Sequence, residues 1–262
     1  MLRVPFRTSW IILLTCFLGS PRLAADEPGE AGYLVPGVPA AIHEEVEIHP
    51  LEDGLWLHRS RTAWEEYGTI EANGLVIAGS QGAWIIDTAW NEEQTEALIA
   101  WVTAEVGPLL GVVATHFHFD GLGGVSAFHR RDLPSWGHQK TAPLAPTWNL
   151  EAPRHTFAES AELSTGSGTV ELFYPGPGHS PDNIVVWLPE RRVLYGGCLI
   201  KSAKTRHSGN LEDADVTAWP ASLDAVGKRY PAARTVVPGH GDPGDLSLLG
   251  HTAKIIASAA SP

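Results

Sequence analysis

Residues 115–121 read Thr115-His116-Phe117-His118-Phe119-Asp120-Gly121. In an extended chain alternate side chains point to the same side, so this spacing predicts that His116, His118 and Asp120 face together while Phe117 and Phe119 point back into the core. Two imidazoles and a carboxylate presented in this way are suitable ligands for zinc. Taken alone, the motif is also compatible with a strand edge whose polar side chains face solvent.

Three further potential ligands each follow a predicted strand in a glycine-rich loop. His179 lies in the loop Pro175–Asn183, Cys198 ends the run Gly196-Gly197-Cys198, and His240 lies in the segment Val237–Asp242. Loops at strand ends are where a rigid scaffold commonly carries its chemistry. These positions favour a metal site over a solvent-facing strand edge.

Short apolar runs alternate with helical patterns along the chain, which predicts an α/β fold. The runs Leu75–Ala78 and Ala83–Asp87 predict a hairpin, and Asn91 with Gln94 has the pattern of a capping box for a helix over Glu92–Val106. Further strands are predicted at Gly111–Thr115, Val170–Tyr174, Ile184–Leu188, Val193–Tyr195 and Thr235–Val237, and further helices at Leu122–Arg130, Ala218–Tyr230 and Leu246–Ala257.

The N-terminus has the pattern of a secretion signal. Arg3 and Arg7 supply a positive region, and the apolar stretch Trp10–Leu18 is too short to span a bilayer stably. Small residues at Ala24 and Ala25 then precede a polar segment. We therefore predict a cleaved signal peptide over residues 1–25.

The predicted signal has consequences for location and domain organisation. We expect export to the periplasm, no stable membrane association after cleavage, and a single mature domain over residues 26–262, because no repeat or long linker divides it. A lipoprotein anchor at Cys16 is the alternative.

The composition restricts the classes of partner. The chain has 262 residues, 44% of them hydrophobic, which is enough to bury a core without disulfides. Its formal charge is −12, and removal of the signal, with three arginines and no acid, takes it to −15. Because phosphate neutralisation needs clustered Lys and Arg, we expect no nucleic-acid partner.

Cysteine usage bears directly on the candidate site. The only cysteines are Cys16 and Cys198, and signal cleavage leaves one of them. A single thiol cannot form an internal disulfide in an oxidising compartment. Cys198 is therefore either an inert buried residue or a metal ligand.

The four segments that carry these candidate ligands, in this order, resemble the metallo-β-lactamases over nearly the whole mature chain, and in detail subclass B1 of that family. The resemblance implies an α/β fold of the αββα sandwich type, with the active site on loops at one edge of two sheets. It also implies two zinc ions per chain, one held by His116, His118 and His179 and the other by Asp120, Cys198 and His240.

Single positions separate the subclasses within this resemblance. Subclass B2 places Asn where His116 stands. Subclass B3 and glyoxalase II would need a histidine at the position of Gly121. Glyoxalase II and similar hydrolases also use a bridging aspartate where this chain has Cys198, so the resemblance gives the remaining thiol the role of a ligand.

The resemblance also implies roles for residues that are not ligands. Lys201 would bind the substrate carboxylate, Asn210 would help to polarise the lactam carbonyl, and Asp120 would orient the nucleophile as well as bind metal. Trp90 would form a wall and Trp64 part of a mobile flap over the site. Lys201 and Asn210 could instead be a surface lysine and a turn asparagine, and either tryptophan could pack locally. Asp87 and Asp182 are expected to orient loops and ligands.

The implied activity is zinc-dependent hydrolysis of the β-lactam amide bond of penicillins, cephalosporins and carbapenems by a metal-bound hydroxide, which confers antibiotic resistance. The expected partners are small-molecule β-lactams, with the protein acting as a monomer. Two alternatives stay open: another hydrolase on the same fold, such as a thioesterase or lactonase, and a zinc-binding protein without catalysis.

Overall fold

Two β-sheets build the protein, in a computed structural model that describes residues 40–65 and 68–259. In this range the first sheet has eight strands that follow one another in chain order, the first five antiparallel and the last three added in parallel. They are β1 Ala40–His43, β2 Val46–Glu52, β3 Leu55–Trp64, β4 Gly68–Gly79, β5 Gly82–Ile86, β6 Leu109–Val113, β7 Ser135–His138 and β8 His155–Phe157.

The second sheet contains the remaining described strands, five in number. Four are antiparallel neighbours and the last pairs in parallel with the one before it. They are β9 Ser160–Ser164, β10 Thr169–Phe173, β11 Val185–Leu188, β12 Val193–Gly197 and β13 Thr235–Pro238.

Helices connect these strands and cover the outer faces of both sheets. The α-helices are α1 Glu92–Trp101, α2 Phe119–Leu122, α3 Val125–His129, α4 Thr141–Leu144, α5 Trp219–Arg229 and α6 Ser247–Ala259. A π-helical turn over Val102–Val106 continues α1, and a 3-10 turn over Ala145–Trp148 follows α4. Within the described residues no helix is both long enough and apolar enough to cross a membrane.

Three hydrophobic clusters show how the layers stack. The first fills the space between the sheets, with Leu75 of β4 and Val186 of β11 among its members. The second packs α1 and α3 on the first sheet, and the third packs α5 and α6 on the second. The order helix, sheet, sheet, helix is the αββα sandwich that the resemblance implies, and the fold prediction is confirmed.

Burial on both faces explains the sequence of the central strands. Every residue of β5 and β11 is buried, and so their side chains are apolar without alternation. The predicted hairpin corresponds to β4 and β5, and the predicted helix over Glu92–Val106 to α1 and its π-helical turn. Asn91 caps α1, since its side chain accepts a hydrogen bond of 2.9 Å from the N–H of Gln94.

Two local predictions were wrong. The backbone of residues 115–118 is not an extended strand but a series of bends, followed directly by α2. The predicted helix over Leu122–Arg130 is two short helices, α2 and α3, with Gly123 and Gly124 between them. A β-carbon on either glycine would lie within 2.2 Å of a neighbouring atom, so close packing requires glycine at both positions.

The N-terminal predictions concern residues that the structure does not describe. The signal peptide over residues 1–25, its cleavage site and the alternative anchor at Cys16 all lie outside the described residues. The division into a signal and a single mature domain stays a prediction.

Candidate metal centre

The six predicted ligands lie on four loops at one edge of the sandwich. His116, His118 and Asp120 follow β6, His179 lies between β10 and β11, Cys198 follows β12, and His240 follows β13. Because β12 and β13 are parallel neighbours, the loops after their carboxyl ends meet at the same edge. Residues up to 124 positions apart in the chain thus approach one another.

Three imidazoles form the first group of potential ligands. His116, His118 and His179 each offer a ring nitrogen, and these atoms all lie within 4.8 Å of one another. Nδ1 of His118 is 3.1 Å from Nε2 of His179. All three residues are buried. The spacing suits three nitrogens that point at one ion.

A carboxylate, a thiol and an imidazole form the second group. Oδ2 of Asp120 lies 3.2 Å from Sγ of Cys198 and 3.1 Å from Nε2 of His240, and this sulfur and nitrogen are 3.3 Å apart. Oδ1 of Asp120 is 3.2 Å from Nε2 of His116, so this carboxylate stands between the two groups. The distances alone also place His116 near Asp120 and Cys198, and its assignment to the first group depends on the family resemblance.

A turn, and not an extended strand, brings the first three ligands together. His118 is the residue before α2, and Asp120 lies in the first turn of that helix. Phe117 packs in the interior as predicted, with 1% of its surface exposed. Phe119, which was predicted to point into the core, is only partly buried and lines the cleft beside His118.

Hydrogen bonds fix the ring orientation of two of these histidines. Nδ1 of His240 donates to the carbonyl of Glu71 at 2.6 Å, and a carbonyl can only accept, so Nε2 is left to face Cys198. Nδ1 of His116 lies 3.3 Å from Oγ1 of Thr115, which itself donates to Asp87 at 2.8 Å. This series of hydrogen bonds turns Nε2 of His116 towards Asp120.

The two aspartates expected to orient loops make such contacts. Asp87 also accepts a hydrogen bond of 2.6 Å from the backbone N–H of Thr115, and it holds the left-handed backbone value φ 58°. Asp182 accepts from the hydroxyls of Ser180 and Thr141, both at 2.7 Å, and so holds the loop that carries His179.

The charges of the two groups fit a cation. Burial by itself lowers the pKa of His116 and of His240, but the negative charges of Asp120 and Cys198 outweigh it, and both pKa values lie well above their ordinary range. Burial raises the pKa of Asp120, yet these imidazoles hold it well below its usual value. The cluster therefore attracts positive charge into a buried position.

The donor atoms support the same conclusion. Nε2 of His116 is buried without a hydrogen-bond partner of acceptable geometry among the described residues. Leaving buried polar atoms without partners costs about 1–3 kcal/mol each. Imidazole, thiolate and carboxylate donors together are typical of zinc sites. The residues present thus fit a metal ion.

A cleft of about 1110 Å³ opens over both groups. Trp90 is buried in its wall, where its Nε1 donates to the carbonyl of Ser60 at 3.2 Å and its ring lies 6.4 Å from that of His240. Trp64 lies near the tip of the β3–β4 hairpin and is 39% exposed, although it also lines the cleft. The segment predicted as a flap is therefore this hairpin.

Lys201 supplies a buried positive charge at the same cleft. Its side chain is 9% exposed, and its ammonium lies 5.4 Å from the ring centre of Trp219. Burial lowers its pKa, although the charges of Cys198 and Asp120 act in the opposite direction. No carboxylate of the described residues forms an ion pair with it, so the ammonium is available to an anionic ligand.

Asn210 lies on the exposed rim of the cleft. Its Oδ1 accepts a hydrogen bond of 2.8 Å from the N–H of Glu212, as in a turn asparagine. Its Nδ2 has no partner among the described residues and can donate to a ligand. The turn contact is thus observed at Oδ1, and the role at the lactam carbonyl stays a prediction for Nδ2.

Two residues of the site were missed by the sequence analysis. Asp213 accepts a hydrogen bond of 3.0 Å from Nε2 of His118, and Trp148 stacks on the same ring with centroids 4.6 Å apart. Asp213 is one of several acids near Asn210, and Trp148 is one of ten tryptophans. No spacing in the sequence distinguishes either residue.

A second set of polar groups has the composition of a nucleophilic triad but is closed to solvent. Nε2 of His129 lies 2.6 Å from Oγ of Ser135, and its Nδ1 contacts Glu151. Ser135 is 1% exposed, and its Oγ also accepts from the backbone N–H of Arg154. Because a nucleophile must reach its substrate, this arrangement is a structural tie between α3 and β7.

Comparisons with known proteins agree with this geometry. A family model described as the metallo-β-lactamase superfamily matches residues 67–240. A metallo-β-lactamase type 2 of Bacteroides fragilis is 38% identical over 216 residues, which cover 82% of this chain and 87% of that protein. A protein of the same description from Pseudomonas aeruginosa is 34% identical and covers 79% and 83% of the two chains.

Solved structures show the same likeness in three dimensions. A metallo-β-lactamase from Pontibacter korlensis superposes with a TM-score of 0.78 at 36% identity, covering 81% of this chain and 99% of that one. One from Hirschia baltica gives a TM-score of 0.76 at 31% identity, covering 81% and 98%.

Proposed function

Because the chain belongs to the metallo-β-lactamase superfamily, we propose that it hydrolyses the amide bond of β-lactam antibiotics with the help of bound metal. The substrates proposed are penicillins, cephalosporins and carbapenems, and the biological consequence is antibiotic resistance. The observation that carries the proposal is the placement of Asp120 between two groups of potential ligands on the floor of an open cleft.

We propose two zinc ions, as in subclass B1. His116, His118 and His179 would hold one, and Asp120, Cys198 and His240 the other. Three protein ligands for each ion leave room for water or substrate, whereas a structural zinc site is closed by four. The thiol of Cys198, the glycine at position 121 and the five distances between donor atoms support this ligand set.

Bound zinc supplies Lewis acidity and lowers the pKa of a coordinated water from about 15.7 towards 7. Asp120 would contribute Oδ2 to the second ligand group and use Oδ1 to orient the attacking water. The imidazoles of His116 and His240 outweigh the effect of burial, keep this carboxylate ionised and fix its direction. No protein nucleophile is required, and inhibitors that trap an active-site serine should therefore fail.

Two side chains of the cleft would orient the substrate. Lys201 would bind the carboxylate of the β-lactam as a point charge, since its ammonium has no ion-pair partner among the described residues. Asn210 would donate from Nδ2 to the lactam carbonyl as charge develops on its oxygen. Trp90 and Trp64 would contact the apolar parts of the substrate from the wall and from the hairpin tip.

We further infer that the mature enzyme acts in the periplasm as a monomer. The support for export is the charged and apolar pattern of residues 1–25. N-terminal sequencing of the periplasmic fraction tests the cleavage site near Ala25. A mature protein that begins at Cys16 and carries lipid would contradict it.

The decisive experiment measures zinc content and imipenem hydrolysis of the purified mature protein, before and after EDTA. We expect two zinc ions per chain, loss of hydrolysis with the chelator and its return on adding zinc. Persisting turnover without metal would refute the mechanism. Hydrolysis of a glutathione thioester but not of nitrocefin would assign another activity on the same fold, and bound zinc with no turnover of any lactam would indicate a binding protein.

The variant Cys198→Ser tests the second ligand group separately. A serine keeps the volume but is a poor zinc ligand. We expect the folded variant to retain one tightly bound zinc and to lose the other. Unchanged stoichiometry would count against the assignment of Cys198.

A further inference from the structure

The imidazole of His118 is held from two directions by residues outside the proposed ligand set. Nε2 contacts Oδ2 of Asp213 at 3.0 Å, and the ring plane stacks on the indole of Trp148 at 4.6 Å and 29°. The carboxylate comes from the loop after β12 and the indole from the 3-10 turn after α4. Two separate parts of the chain therefore meet on one ring.

The contact with Asp213 fixes the tautomer of His118. A carboxylate at neutral pH only accepts hydrogen bonds, so Nε2 must carry the proton and Nδ1 must present its lone pair. This lone pair faces Nε2 of His179 at 3.1 Å, on the side where the first ion would lie. Of the four histidines of the site, only His118 contacts a carboxylate outside the proposed ligand set; outside that set His116 contacts a hydroxyl and His240 a carbonyl.

The contact with Trp148 fixes the plane of the same ring. The indole is itself wedged between Phe117, at 5.7 Å edge-on, and Phe119, at 5.3 Å. Asn149 ends the turn in the left-handed conformation, with φ 58°. Rotation of the His118 ring about its Cβ–Cγ bond would break the stack and the hydrogen bond together.

We propose that Asp213 and Trp148 are positioning residues that hold Nδ1 of His118 towards the metal and thereby set the affinity of the three-histidine group. This inference rests on the proposed function, because it takes His118 to be a ligand. A carboxylate behind a metal-bound histidine orients the ring and raises its basicity, and its loss typically lowers metal affinity about 10–100-fold. The second group, which contains neither residue, should keep its affinity.

The chain offers a matched control next to Asp213. Glu212 is exposed, carries the same charge one residue away, and makes no side-chain contact with His118. Glu212→Gln therefore reproduces the loss of charge without the loss of the contact. Asp213→Ala removes both the charge and the contact with His118. Asp213→Asn keeps a hydrogen-bond acceptor but removes the charge. Trp148→Phe keeps a ring against His118, whereas Trp148→Leu does not.

The experiment titrates metal-free full-length mature protein with zinc and with cobalt against a chelator of known affinity. The thiolate-to-cobalt absorption band reports binding at Cys198 alone, and total uptake then gives the three-histidine group. We expect Asp213→Ala to lower the metal affinity of the three-histidine group about 10–100-fold, and Asp213→Asn to lower this affinity less. Trp148→Leu should lower it more than Trp148→Phe. Glu212→Gln should match the wild type, and the cobalt band should saturate alike in all.

A spectroscopic readout separates positioning from general destabilisation. In the zinc-loaded wild type, nitrogen–proton correlation spectra should show a slowly exchanging N–H on Nε2 of His118, which Asp213→Ala loses and Glu212→Gln retains. Thermal unfolding of the metal-free variants checks that each one folds.

The outcomes distinguish this inference from the proposed function. Equal affinity of wild type and Asp213→Ala for the first ion would overturn the positioning role and leave the proposed function intact. A wild-type protein that takes up no metal at the three histidines would overturn the proposed function itself.

Discussion

The backbone of Gly121 lies directly against His116. A β-carbon at position 121 would come within 2.8 Å of the carbonyl oxygen of His116 and 3.0 Å of its Nδ1. Real β-carbons essentially never lie closer than 3.0 Å to such an atom, and the carbonyl oxygen of the backbone cannot move aside cheaply. A side chain at position 121 would therefore have to displace His116.

Gly121→Ala should accordingly damage both the site and the fold. We expect a loss of about 1–3 kcal/mol in the free energy of unfolding, together with weaker metal binding, because the new methyl group displaces His116. Denaturant unfolding and chelator competition measure the two effects.

Gly250→Ala is the matched control for this change. Gly250 lies within α6, and nothing within 4 Å would meet its β-carbon. Alanine there should stabilise the helix by about 0.5–1 kcal/mol without changing metal affinity. Equal behaviour of the two variants would contradict the role given to Gly121.

Lys201→Ala should raise KM more than it lowers kcat. A hydrogen bond to a charged group is worth about 1.5–3 kcal/mol, so we expect KM for imipenem to rise roughly tenfold or more. Lys204→Ala is the control, since Lys204 is exposed, also lines the cleft, and pairs with Asp242 at 2.7 Å. A larger effect on KM from Lys204→Ala than from Lys201→Ala would show that the substrate carboxylate binds elsewhere.

Trp64→Ala should affect binding and leave stability alone. Trp64 is the one large hydrophobic residue that is exposed in the described part of the chain, and it lies above the cleft. We expect KM for penicillins with apolar side chains to rise several-fold, and the free energy of unfolding to change by less than about 0.5 kcal/mol. An unchanged KM would mean that the indole does not reach the substrate.

His58 should make the protein sensitive to acid. Its Nε2 donates to the carbonyls of Ile86 and Asp87, and its Nδ1 is buried without a partner. Burial lowers its pKa from 6.5 to about 4. Since the folded pKa lies below the unfolded one, the unfolded chain takes up the proton first, and stability falls as pH drops from about 6.5 to about 4.

His58→Gln removes the titrating group and retains a donor near the position of Nε2. Between pH 7 and pH 5 the wild type should lose about 2 kcal/mol more unfolding free energy than this variant. Urea unfolding at the two pH values, with both proteins in the same metal state, measures the difference. His155→Gln, which changes an exposed histidine, should keep the wild-type dependence, and an identical slope for His58→Gln would contradict the prediction.

Several parts of the fold could be predicted because their signal is local. The continuous apolar run at residues 83–86 indicates a strand buried on both faces, and Asn91 marks the start of α1 by its own hydrogen bond. Six strands were not predicted: β1, β2, β3, β7, β8 and β9. Of these, β1, β8 and β9 are three to five residues long and mostly exposed or only partly buried, β7 has only four residues, and β2 and β3 carry many polar or charged residues. Their conformation depends on the neighbours with which they pair.

The sequence by itself determined the kinds of atom at the site: four imidazoles, a carboxylate and a thiol, each in a loop after a predicted strand. Residue identity carries this information, because the affinity of a donor for a metal is a property of its own side chain. Only the tertiary structure decided how they meet, by a turn into α2 in place of the expected extended strand, and it alone brought Asp213 and Trp148 to His118. These contacts join loops that are distant in the chain, and their geometry follows from sheet pairing and packing, which no local pattern of residues specifies.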